Sequence, residues 1–109
     1  MFAKHSLNWY RIQFENVKES MQILTDADTS FSTAASAYAC VNGGLSCANG
    51  MAICNSFDME TVKAIKEYLK EHLKDVRKSN LSFGKKAQIV LFVIAPHIYY
   101  TLMKRKFGR

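Results

Sequence analysis

The 109-residue chain holds a single proline, five glycines, three cysteines and one tryptophan. So little proline and glycine excludes a collagen-like or proline-rich molecule. Three cysteines are too few, and odd in number, for a disulfide scaffold. Residues 30–57 contain no charge of either sign, and residues 79–109 contain no acid. The amino-terminal stretch lacks the unbroken apolar core of a secretory signal peptide. Lys4 and Arg11 precede the first acid, Glu15, which leaves a short mitochondrial presequence open. Three cysteines without an export signal point to a reducing compartment.

What is present is an ordinary apolar share, 49%, with 22% charged residues, enough for one modest core. The formal charge is +6, and its distribution is uneven. Before residue 79, nine cations cancel nine acids; Lys85, Lys86, Lys104, Arg105, Lys106 and Arg109 supply the whole excess. Such a surplus favours anionic partners: lipid headgroups, an acidic protein or nucleic acid.

Leu7, Tyr10, Phe14, Val17, Met21 and Leu24 alternate at three and four residues, which predicts an amphipathic helix over about 6–25. Met59, Val62, Ile65, Leu69, Leu73 and Val76 predict another over 58–78, capped by Asp58. Residues 37–57 divide into three sevens that place Cys40, Cys47 and Cys54 in equivalent positions, with Asn-Gly at 42–43 and 49–50. This period fits a helix over 31–54 interrupted near Gly43-Gly44. It also fits a meander of short strands joined by Asn-Gly turns. Ala, Ser, Cys and Gly are poor strand formers, which favours the helix.

The expected architecture is therefore all-α, a small bundle of three to four helices with an apolar last one over 85–106. The alternative is α+β, with a meander at 37–54 and a strand at 87–95. Two parts are expected: a helical domain at 1–84 and an apolar segment with basic flanks at 85–109.

That segment carries the main functional signal. Residues 87–103 have no formal charge if His97 is neutral, and Ile89, Val90, Leu91, Phe92, Val93 and Ile94 run consecutively. As one helix, 87–103 would be about 25 Å long, near the lower limit for crossing a bilayer core. The expectation is a membrane anchor in which these six residues, with Tyr99 and Tyr100, contact lipid. Lys85, Lys86, Lys104, Arg105, Lys106 and Arg109 would meet anionic headgroups or another polyanion. The competing expectation is a buried element of a soluble core.

Cys40, Cys47 and Cys54 are candidate zinc ligands only by residue type, because their seven-residue spacing matches no zinc knuckle. No cofactor is expected. His5, His72 and His97 are isolated from the cysteines in sequence, and no nucleophile elbow, zinc-protease or phosphate-loop motif occurs. The leading functional expectation is a small non-catalytic membrane-associated protein facing a reducing compartment, an accessory subunit or adaptor docking a protein partner. The alternative is a soluble cytoplasmic basic regulator or inhibitor of an acidic protein, or less readily a nucleic-acid binder. A thiol or metal site is a third, minor expectation.

Overall fold

The structure is a computed structural model that describes residues 6–107. It is all-helical, and no strand occurs among the described residues. Six helices replace the three to four expected: α1 (Leu7–Ala27), α2 (32–53), α3 (Met59–Glu71), α4 (Leu73–Lys78), α5 (Phe83–Ile94) and α6 (Pro96–Phe107). The extra ones arise because two expected helices are each broken once.

Helix α1 begins where the Ser6 hydroxyl accepts from the Trp9 amide at 3.2 Å, satisfying one of the first-turn donors. It passes Thr25 and ends at Ala27. Asp28 then caps a short 3-10 turn, Thr29–Phe31, by accepting from the Ser30 amide.

Helix α2 settles the ambiguity of the cysteine repeat. It runs as α-helix over Ser32–Ala39, π-helix over Cys40–Leu45 and α-helix over Ser46–Ile53. The meander at 37–54 is thus overturned, and the expected interruption is a wide turn within a continuous helix. Alanine favours that continuity. The Asn42 side-chain amide donates to the Tyr38 carbonyl within the wide turn. The helix ends in a Schellman motif: the Asn55 amide donates to Ala52 and the Ser56 amide to Met51. Asn55 adopts φ 54°, the left-handed region that asparagine tolerates better than most residues.

Asp58 caps α3 by accepting from the Thr61 amide at 2.9 Å. The expected 58–78 helix is broken at His72, which leaves helical geometry at φ −102°, ψ 12° and stacks its ring on Tyr68 at 4.2 Å. Beyond the break, α4 buries Val76. The expected 85–106 helix is broken at Ala95, φ −142°, ψ 74°. The cause is Pro96: the residue before a proline is pushed out of the α region, and proline itself suits a first helical turn. The strand alternative at 87–95 is excluded, since 83–94 is helical.

All the other helices pack on α2, and its small residues let them come close. A Cβ on Gly43 would stand 3.0 Å from the Phe14 ring of α1, and one on Gly44 3.0 Å from Leu69 of α3. At Gly50 the Tyr10 ring lies flat against the backbone, where a methyl group would overlap it. Cys40, Cys47, Ala48 and Met51 of the same helix are buried in the core with Ile65, Leu69, Ile89 and Phe92. The α5–α6 segment therefore shares one core with the preceding helices.

Gly50→Ala is expected to destabilise the fold by about 1–3 kcal/mol, because the Tyr10 ring has to move. At Gly84 of α5 a Cβ would meet Ser82 Oγ at 4.0 Å, an ordinary contact that leaves Gly84→Ala free of a clash. This substitution is expected to raise stability by roughly 0.5–1 kcal/mol. Urea denaturation of the two variants against the parent checks both signs.

Candidate docking surface

Ser82 sets the start of α5 by accepting from the Lys85 amide at 3.3 Å. From there the apolar segment divides its side chains between two opposite environments. Ile89, Phe92 and Tyr99, expected to touch lipid, are instead fully enclosed by the protein. The reason is helical phase: they fall on the side of α5 and α6 that faces α2 and α3. Leu91, Val93 and Tyr100 are half-buried, while Val90 and Ile94 point outward. The break at Ala95-Pro96 also divides the segment into two helices of 12 residues each, against the roughly 20 that a helical span takes. No helix among the described residues is long and apolar enough to cross a membrane.

The outward side is apolar as well. On α5, Phe83, Ala87, Val90 and Ile94 recur at four, three and four residues, and all are exposed. Phe83 is 86% exposed and Ile94 74%. On α6, Ile98 (55% exposed) and Leu102 (45%) are exposed as well and, with His97, Thr101 and Arg105, line a shallow depression of about 260 Å³. Single exposed apolar residues need no explanation, but several in two short consecutive helices do.

The cations sit at its margins. Lys85 is exposed; Lys86 is half-buried and donates its Nζ to the Arg77 carbonyl at 3.1 Å, tying α5 to the end of α4. Lys104, Arg105 and Lys106 occupy the last turns of α6, where they complement the helix dipole. Lys104 Nζ lies 5.9 Å from the Tyr100 ring centroid. Arg109 lies outside the described residues, as does His5.

A part-buried hydrogen bond fixes α6 to the body. The Tyr99 hydroxyl donates to Asn49 Oδ1 of α2 at 2.7 Å, and the Tyr99 ring meets Phe92 edge-on at 5.4 Å. Phe57, in the loop after α2, packs against His97 at 4.4 Å and Tyr100 at 4.9 Å.

The other candidate chemistry finds little support. Among the described residues no group of three or more His, Cys, Asp or Glu is placed to hold a metal ion. Burial, with a contribution from Asp75, pushes the Cys40 thiol up to about 12. Burial pushes Cys47 up to about 11. Both are therefore protonated thiols near neutral pH, the wrong state for a zinc ligand or a nucleophile. His72 directs Nδ1 at the Tyr68 carbonyl, 2.9 Å away, and His97 stacks on Phe57.

Sequence reasoning missed Phe83, Ile98 and Leu102. Phe83 reads as part of a polar linker between Ser82 and Gly84. The signal that finds it is the 4-3-4 spacing to Ala87, Val90 and Ile94.

Two measurements test this surface and its support. Tyr99→Phe leaves Asn49 Oδ1 without its donor and is expected to cost about 1–2 kcal/mol by denaturation. Burial also holds the Tyr68 and Tyr99 phenols at about 12, against 10.0 for an ordinary tyrosine. Both phenols and the two thiols are acids whose folded pKa exceeds the unfolded one, so the unfolded chain releases protons first. Stability is thus complete below about pH 9 and falls as pH rises towards 12, which a denaturation series across that range reads directly. No family model, curated protein or solved structure matches the chain.

Proposed function

We propose that this protein is a non-catalytic accessory protein that lies on an anionic membrane surface through the outward side of α5 and α6. The observation that carries the reading is the combination, in the consecutive helices α5 and α6, of exposed large apolar side chains with five of the six cations that make up the net positive charge. The mode is in-plane: the apolar side chains enter the boundary between headgroups and acyl chains while the helices stay parallel to it. Phe83, Val90, Ile94, Ile98 and Leu102 supply the apolar contact. Lys85, Lys104, Arg105 and Lys106 supply the electrostatic one, with Lys86 and Arg109 adding to the local field.

Magnitudes favour a reversible attachment. Removing an isoleucine or phenylalanine fully from water contributes roughly 1.5–3 kcal/mol, and partial entry less. Each lysine or arginine near an anionic leaflet adds about 1 kcal/mol, falling off within a Debye length. A few of each suffice for binding that responds to salt and lipid charge. In this arrangement the body built from α1 to α4 remains in water, available to a protein partner, on the face of a reducing compartment. The protonated buried thiols suit that environment.

Co-sedimentation with vesicles tests the proposal. Binding is expected to vesicles containing phosphatidylserine, to be weak on pure phosphatidylcholine, and to drop at high salt. Ile94→Asp should abolish binding and leave the helical circular-dichroism spectrum intact, because Ile94 is exposed. Phe92→Asp should unfold the chain, because it buries an unpaired charge. A folded protein that stays in the supernatant at low salt with anionic vesicles would refute the reading. Salt-sensitive binding to an acidic protein under the same conditions would support the soluble regulator instead.

A further inference from the structure

The outer face of α1, away from the core, presents four exposed residues at four, three and four: Ile12, Asn16, Glu19 and Ile23. Ile12 is 49% exposed and Ile23 64%. The order apolar, polar, polar, apolar reads the same from either end. A second α1 laid antiparallel about a two-fold axis between Val17 and Lys18 therefore meets it in register. Ile12 then opposes Ile23 of the other copy, and Asn16 opposes Glu19. An isologous contact demands this kind of self-complementarity.

The polar centre is complementary too. The Asn16 amide is a donor and the Glu19 carboxylate an acceptor, and the pair occurs twice across the axis. Glu15, the nearest other carboxylate on this flank, is already held by Lys18 Nζ at 2.8 Å. The spacing is also that of an antiparallel helix pair, in which a central polar residue specifies register. An anionic bilayer is a poor occupant for the same face, since Glu19 stands on its crest.

We propose that α1 is a homodimerisation surface, pairing antiparallel with α1 of a second copy through Ile12, Asn16, Glu19 and Ile23. One helix face covers less area than the roughly 1,200–2,000 Å² of a standard stable interface, so the dimer is weak in dilute solution. Confinement of both copies to a shared surface raises their effective concentration and favours it. The pairing does not depend on the membrane reading.

Sedimentation equilibrium of the full chain, carried from micromolar to millimolar concentration, is the test. The expected result is a reversible monomer–dimer equilibrium that Ile23→Glu weakens at least tenfold by setting a carboxylate against Ile12 of the other copy. Asn16→Lys should tighten it several-fold at low salt by facing Glu19, and adding Glu19→Lys should reverse that gain. Orientation is read by oxidation in a Cys54→Ser background: mixed Ile12→Cys and Ile23→Cys chains should cross-link, and Ile12→Cys chains alone should not. A strictly monomeric chain at millimolar concentration overturns the proposal. So does a dimer indifferent to these exposed substitutions, or one that cross-links through Ile12→Cys alone.

Discussion

Close approach to α2 is the constraint on which the rest of the molecule depends. At Gly43, Gly44 and Gly50 the neighbouring side chains rest on bare backbone, and a single methyl group at Gly50 would overlap the Tyr10 ring. Dispersion forces fall steeply with separation, so small residues in the centre convert directly into contact area for the larger residues around them. Phe14, Leu69, Phe92 and Tyr99 are the large partners. On the packed side of α2, at Ala35, Ala39, Cys40, Cys47 and Ala48, a charged side chain would be buried without a partner, and residues 30–57 carry none.

The carboxy-terminal helix pair answers a different requirement. Its consecutive apolar residues exceed what one core-facing side can absorb, so the helical repeat sends some inward and leaves others in water. Pro96 divides the run into two helices and turns a long greasy segment into a short, bent one. Tyr99 then anchors the second half through its bond to Asn49. Charge follows the sequence in the same way: residues 1–78 are balanced, and residues 79–109 are purely cationic.

Much of this was legible in the residues. The stripes beginning at Leu7 and Met59 located two helices, Ser6 and Asp58 are the side chains that cap them, and the poor strand propensity of Ala, Ser, Cys and Gly argued correctly for helix in the cysteine repeat. Breaks were harder to see. The one at Ala95 follows from Pro96, a local steric rule, yet the apolar periodicity runs straight through it. The one at His72 has no comparable local signal, since Tyr68, Leu69 and Leu73 keep helical spacing; it shows only in the backbone and the ring stacking. Which of Ile89 to Ile94 faces inward could not be read from a run that is apolar on every side. That choice depends on where α2 and α3 lie. The wide turn at Cys40–Leu45 likewise needs tertiary contact to define it, because Asn42-Gly43-Gly44 suits several backbone conformations.

The composition of α2 bears on how the molecule comes apart. A helix with three glycines forfeits about 1 kcal/mol of intrinsic helicity at each relative to alanine. Together with a wide turn in its middle, this leaves α2 little tendency to form in isolation. Its coiling is underwritten by the neighbours that enclose it, and they in turn have no shared floor without it. Melting should consequently be all-or-none, with no surviving subset of helices, and amide protons along α2 should exchange only through global opening.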